Sequence, residues 1–207
     1  MKKYCLTSNA ITIGDGRIIH QIKALVDIPE AGVKVEDLGG WIEKEANLSH
    51  HGECWVYGNA KVYDDARVSD NAKVYGNAKV YGNAEVSDSA KVLDDANAYD
   101  IAEVYDNAEV YGGARVYGNA NVCGDAMVYD EAKVSGSAKV YDNAEVYGGA
   151  RVYGNAEVYD DANAYDNAEV YGVARVYGNA NVYGVAIVYG NAEVYGDADV
   201  YDSIEIG

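Results

Sequence analysis

From Val56 to Gly207 the chain repeats in sixes without one insertion or deletion in the period. Position one is Val at every sixth residue except Ala98 and Ala164, and Ile206 closes the series. Position five is Ala from Ala60 to Ala198, then Ile204. Around each Ala-x-Val-Tyr segment the apolar residues sit two apart, the spacing of one strand face, so Ala and Val point inward while x and Tyr point outward. This predicts a strand of about four residues per hexad.

Position three is only Gly or Asp, and position four is most often Asn, Asp, Ser or Gly. These residues tolerate positive φ or bond their own backbone, so each hexad should end in a tight corner. Corners that always turn the same way cannot close a hairpin ladder, and the chain must coil. With three sides per turn, one coil takes eighteen residues. The stretch AEVYGGARVYGNA then recurs two coils apart, at Ala108 to Ala120 and Ala144 to Ala156. One corner alternates Gly76, Asp94, Gly112, Asp130, Gly148, Asp166, Gly184, Asp202. With coils about 4.8 Å apart, that holds like charges roughly 10 Å apart, near a Debye length, which suggests an electrostatic origin for the two-coil period.

The unit Val-Tyr-Gly-Asn-Ala-Lys resembles the hexapeptide repeat of left-handed parallel β-helix proteins, aliphatic at the first place and small at the fifth. The resemblance implies an all-β, left-handed parallel β-helix, a hexapeptide-repeat solenoid of roughly eight coils. Tyr occupies the second place, where that family often has a small residue, in twenty of the twenty-five hexads beginning at Val56. Upstream, ITIGDGRIIHQIKALVDI reads as a hairpin around Gly-Asp-Gly. Residues 1–41 are expected to be a β cap over the first coil, and residues 42–207 the β-helix, with Ile42, Ala46, Leu48 and Gly52 as imperfect early hexads. Through its Gly-Gly-Trp, Leu-Ser, Gly-x-Cys-Trp and Tyr-x-x-Ala elements, the segment from Gly39 to Ala60 is similar to YdcK-like bacterial hexapeptide-repeat proteins, which extends the implied source to bacteria or phage.

Charge narrows the function. The net charge is −18, and 26 of the 34 acidic side chains follow Trp55. Duplex nucleic acid is disfavoured as a partner, since a phosphate backbone needs a basic footprint. The start, MKKYCLTSNAITIGDG, has no apolar run of a signal peptide, and no stretch approaches a membrane span. Cys5, Cys54 and Cys123 show no CxxC spacing, so reduced thiols and a cytoplasmic location are expected.

Many proteins of the resembled class are acyltransferases with a histidine general base beside a loop that interrupts the coils. Here His20, His50 and His51 lie in or next to the cap, and no loop interrupts the repeats. Adjacent histidines on a strand point to opposite faces, so surface positions are expected. The corner pairs Asp64-Asp65, Asp94-Asp95 and Asp160-Asp161 fall on different corners, and calcium needs converging oxygens, so they read as solvated turn residues. Cys123 stands in a Tyr slot as a neutral variation. No catalytic residue, cofactor or metal ligand is assigned.

Taken every eighteen residues, the tyrosines form three ladders, one per face, whose stacked rings contribute roughly 0.5–1.5 kcal/mol per pair. They clamp coil to coil or present an aromatic surface for a partner. All ten basic residues of the coils stand two places before position-two residues, five of them on the second face. A candidate binding surface there comprises Lys61, Tyr63, Lys79, Tyr81, Tyr99, Arg115, Tyr117, Arg151 and Tyr153. At the far end, Ile204 and Ile206 either plug the column or pair with a second copy in a homodimer weakened by like charge. The expected function is a non-catalytic rigid scaffold that binds a protein. The alternatives are an acidic mimic of nucleic acid that occupies a DNA-binding protein, a carbohydrate-binding rod and an acyltransferase-like enzyme.

Register gives the first prediction. Deleting Gly112 to Tyr129, one whole coil, leaves a shorter protein that melts cooperatively, whereas deleting nine residues from Gly112 places polar positions in the core and abolishes cooperative melting. Thermal denaturation followed by circular dichroism compares the two.

Overall fold

The computed structural model describes residues 2–207 and shows an all-β solenoid. Strands β1 (Tyr4–Thr12), β2 (Ile18–Ala24) and β3 (Leu38–Ile42) precede an unbroken series of two-residue strands from Trp55–Val56 to Glu205–Ile206. Each repeat strand pairs in parallel with the strand eighteen residues on, as Val62 does with Val80 and Val80 with Ala98. Three sheets of nine, twelve and eight strands result, about nine turns in all. The first face carries the nine-stranded sheet, the second the twelve-stranded sheet and the third the eight-stranded sheet.

The turn count exceeds the expected eight because coiling begins at Ile42, which pairs with Val62, and Leu48, which pairs with Val68. Both pairs are twenty residues apart rather than eighteen. The two extra residues loop out in the segment Ser49 to Glu53, around His50, His51 and Gly52. Ala46, expected inside, is exposed, and Asn47 is buried in its stead. A short 3-10 turn, Glu45–Asn47, shifts the register there and sends the Asn47 amide to the carbonyls of Asp64 (3.0 Å) and Ala66 (2.9 Å).

Strands are two residues long, not four, because the corner bend starts at Tyr. Turn-to-turn hydrogen bonding nevertheless runs further. The N–H groups of Lys61, Tyr63 and Asp65 donate to the carbonyls of Ala78, Val80 and Gly82 at 2.9, 3.1 and 2.8 Å. Position six, two and four donors therefore meet position five, one and three acceptors of the next turn, and the pattern repeats down the column. A polar backbone buried on both sides is satisfied this way with no side chain needed.

The Val and Ala slots from Ala60 to Val188 are at most 1% exposed and form one continuous column. Fully burying each Val contributes roughly 1.5–3 kcal/mol relative to leaving it exposed. The Ala slots let the three sheets approach across the narrow interior.

Every corner residue at position three has positive φ, among them Asp64, Asp94, Asp130 and Asp166 at 57 to 61°. A Cβ on Gly76 would lie 2.8 Å from the Asp94 backbone, so glycine admits the close approach of that turn. At several corners where Asp stands instead, its carboxylate accepts the next turn's N–H, as Asp64 does from Gly82 (3.0 Å), Asp100 from Gly118 (3.2 Å) and Asp160 from Gly178 (3.1 Å). This revises the electrostatic origin expected for the two-coil period. Asp70, Asp88 and Asp106 stand in consecutive turns of one corner, so avoidance of like charge does not govern that position. One place on, Asn107, Asn143 and Asn179 donate to Asp125, Asp161 and Asp197 one turn below at 2.9, 3.0 and 2.9 Å. An amide and a carboxylate alternate, and each pair takes two turns.

The N-terminal region closes the upper end of the column. β1 and β2 pair antiparallel, β2 pairs antiparallel with β3, and β3 pairs parallel with Lys61–Val62, so the hairpin extends the twelve-stranded sheet. Tyr4, Ile22, Ala24, Ile28 and Val33 are buried and continuous with the core. The Tyr4 hydroxyl donates toward the carbonyls of Leu48 (2.8 Å) and Glu45 (2.9 Å), and the Lys3 ammonium donates to Cys54 (2.8 Å) and Gly52 (3.3 Å). First-turn carbonyls lack a preceding turn, and cap side chains replace its N–H groups. No helix among the described residues is long and apolar enough to cross a membrane.

Inward and outward positions predict opposite mutational costs. Val116→Asp places an unpaired carboxylate in a dry column and destabilises by several kcal/mol. Tyr117→Ser costs less than about 1.5 kcal/mol, one ladder contact, as Ser69, Ser87 and Ser135 already fill equivalent places. Urea denaturation of both variants measures the difference.

Candidate binding surface

On the first face, Tyr111, Tyr129, Tyr147, Tyr165, Tyr183 and Tyr201 stack with centroids 4.8 to 5.5 Å apart. On the second, Tyr63, Tyr81, Tyr99 and Tyr117 stack at 5.1, 4.9 and 5.0 Å with planes within 4°. Ser135 interrupts this ladder, which resumes at Tyr153, Tyr171 and Tyr189 at 4.8 and 5.6 Å. On the third, Tyr141, Tyr159, Tyr177 and Tyr195 stack at 4.9 to 5.4 Å. Within a run each ring covers its neighbours' faces, so a ligand meets ring edges and hydroxyls. The surface is aromatic but offers few free faces for stacking.

The cations separate the three faces. Beneath Arg67, Lys91, Lys139, Arg151 and Arg175, eighteen residues on, stands a glutamate, and the pairs close at 3.7, 2.6, 3.4, 3.3 and 3.5 Å. Lys73 donates to the Glu30 carbonyl (2.8 Å). Lys61, Lys79, Arg115 and Lys133 all stand on the second face and, like Lys73, have no carboxylate within 4.0 Å among the described residues; Lys61 donates to the Asn59 carbonyl (3.2 Å). Their column runs Lys61, Lys79, Asn97, Arg115, Lys133, Arg151 before Glu169 supplies the first acid. Like charges in register destabilise a sheet. Burial, then the neighbouring Lys79, pushes the Lys61 ammonium below its usual range.

All nine residues of the sequence-derived surface therefore share the twelve-stranded sheet. At its upper end, the turn Ile13 to Asp15 and the side chains of Lys61, Tyr63 and Lys79 bound a cavity of about 390 Å³. Arg17 closes over the Tyr63 ring at 5.7 Å and pairs with Asp64. Lower down, Glu169 accepts from the Tyr153 hydroxyl (3.0 Å) and pairs with Arg151.

The corner aspartates are each engaged. Asp65 pairs with Lys44 (2.6 Å), Asp94 accepts from the Gly112 N–H (3.4 Å), and Asp95 accepts from the Asn77 amide (3.0 Å). No group of three potential metal ligands converges among the described residues. Cys123 is half-buried rather than a plain surface residue, and burial pushes its thiol up while the Tyr105 hydroxyl engages it. Ile204 is exposed, whereas Ile206 is half-buried against the core and in register with Val188.

His50 departs from the expected surface position. It stacks on Tyr4 at 4.4 Å, accepts at Nδ1 from the Lys3 N–H (3.2 Å), and has its pKa pushed down by burial. Lys3, only 4% exposed, also reaches the Cys54 thiol at 3.2 Å. No repeat or motif marks this cluster in the sequence, because it is assembled from residues some fifty places apart. The Lys3 ammonium and the Tyr4 hydroxyl bond backbone carbonyls of the first turn, so the cluster serves the cap. No protein-family model and no curated protein matches the chain.

The ladders predict an alkaline limit. Tyr57, Tyr141 and Tyr153, chiefly through burial, and Tyr105, chiefly through its bond to Cys123, are pushed up from 10.0 to about 12. A phenol whose folded pKa is raised stabilises fully below its unfolded value and loses that stabilisation as pH rises through the folded value. Melting temperature should thus hold to about pH 10 and fall between pH 10 and 12, with phenolate absorbance rising alongside unfolding. A melting temperature that stays level from pH 10 to 12 would contradict it.

Proposed function

We propose that this protein is a non-catalytic, rigid β-solenoid that binds an acidic region of a protein partner along its second face. One observation carries the reading: of the five coil cations without a carboxylate partner among the described residues, four, Lys61, Lys79, Arg115 and Lys133, stand in one column beside the Tyr63 to Tyr117 ladder, on a chain of net charge −18. An in-register column of like charge is unfavourable in the free protein, and an anionic partner relieves it. Regular stacking keeps the spacing of these groups fixed, so binding orders little of the scaffold. The three cysteines are free thiols, which fits the reducing cytoplasm.

Affinity capture from the native host tests this. The native chain should retain an acidic protein that is released as salt rises. The triple variant Lys61→Glu, Lys79→Glu, Arg115→Glu should lose it, whereas Arg67→Glu, Lys91→Glu, Arg175→Glu, with the same change in net charge on the other faces, should keep it. Equal loss in both variants would reduce the effect to net charge and defeat the assignment to this face.

A further inference from the structure

The second face has one place where ring faces are open. Tyr117 is covered above by Tyr99 (5.0 Å) and Tyr153 is covered below by Tyr171 (4.8 Å), while the turn between them carries Ser135. Backbone bonding is unbroken across that turn, Tyr117 to Val134 at 3.0 Å and Ser135 to Val152 at 2.9 Å. Two turns of roughly 4.8 Å each separate the facing rings by about 9.6 Å. That interval accommodates one further ring at the spacing the ladder itself uses.

The comparable positions elsewhere are filled or one-sided. Leu93 stands between Tyr75 and Tyr111 on the first face. On the third face Cys123 stands between Tyr105 and Tyr141, but Tyr105 is a lone ring, with Ser87 and Ser69 above it. Only the Ser135 turn, among the described residues, separates two runs of stacked rings by a short side chain. Lys133 stands two residues before Ser135 on the same face, with no carboxylate within 4.0 Å among the described residues. Glu131, the nearest acid in sequence, is directed toward Gly113 in the turn above.

We propose that the interval between Tyr117 and Tyr153 receives one aromatic side chain from an acidic segment of the partner protein, completing the ladder while Lys133 pairs with a carboxylate beside that ring. The proposal rests on the reading of the second face as a protein-binding surface, and names what the partner inserts. An acidic peptide suits the site better than a nucleic acid. The jaws repeat the spacing of a phenol ring, and a polyphosphate would meet the repulsion of a chain carrying −18. A peptide with a few carboxylates around one ring brings little charge, placed against the free cation.

Ser135→Tyr tests the site without breaking the fold, since Tyr occupies this place in twenty of twenty-five hexads. Two unlabelled peptides, Glu-Glu-Tyr-Glu-Glu and Glu-Glu-Ala-Glu-Glu, and an oligothymidylate are titrated into the full chain by calorimetry, with saturation-transfer NMR reading the peptide ring. The tyrosine peptide should bind about tenfold more tightly than the alanine peptide. Ser135→Tyr should erase that preference while melting no lower than the native chain, and Lys133→Glu should weaken both peptides. A preference that survives Ser135→Tyr, or no binding of the tyrosine peptide to the native chain, overturns the proposal. So does tighter binding of oligothymidylate that Ser135→Tyr abolishes, which would assign the interval to a nucleobase. Lys61→Glu with Lys79→Glu separates the two readings. Peptide binding that depends on these lysines and not on Ser135 leaves the face as a binding surface and removes the interval, and binding indifferent to all of these positions removes both.

Discussion

Each turn donates its backbone N–H groups to carbonyls of the next, and that bond sets the terms for everything else in the molecule. Lys61 to Ala78, Tyr63 to Val80 and Asp65 to Gly82 fix an offset that every later hexad must respect. One residue too many would turn Val outward and a charge inward, and among the described residues the departures from period lie above the repeats, in the turn Glu45–Asn47 and the loop around His50 and His51. The same directionality leaves the first turn's carbonyls without donors. Tyr4 and Lys3 supply them, and Asn47 in the irregular first turn does the same for Asp64 and Ala66 of the second, which explains a nearly buried lysine and a fully buried asparagine at the top of an otherwise apolar column.

Stacking with no change of register also means that a side chain meets its counterpart in every turn. For tyrosine this is favourable, and the rings lie parallel at 4.8 to 5.1 Å through most of their length. At one corner asparagine stands above aspartate, and on the first and third faces four cations stand above glutamates, while Lys73 stands above Lys91 and Glu85 above Glu103. On the second face five cations and one asparagine follow one another over six turns before the first acid. Its cations stand above one another, so the face carries a local field opposite in sign to that of the whole chain.

Ladder geometry converts an aromatic surface into one of ring edges. An array of this kind is rigid and regular, but it withholds the π faces that recognition uses. A missing ring returns two faces at a defined separation, and Ser135 makes such an interval beside an unpaired lysine. Where tyrosine is present it joins turns, and at Ser135 the column leaves an interval between two stacked runs.

Much of the fold follows from the order of residues alone. Valine and alanine two apart, with Gly or Asp at every corner, dictate a coil, since only that path buries both apolar positions and seats the positive-φ residues, and the structure has the expected hairpin and stacked tyrosines. Sequence also places the nine surface residues on one face, because face membership depends only on the remainder after eighteen. Other features depend on contacts between distant segments. Asn47 rather than Ala46 turns inward because Asp64 and Ala66 present free carbonyls, and His50 is drawn against Tyr4 by the closing of the cap. Which corner aspartates are engaged depends on an N–H of the next turn lying within reach. Counting by eighteen finds five basic residues on the second face but not which are paired; that depends on whether a carboxylate lies one turn away and can reach. Composition and periodicity state which residues share a column, and only the packed turns decide which of them are already satisfied and which face solvent with a bond still to make.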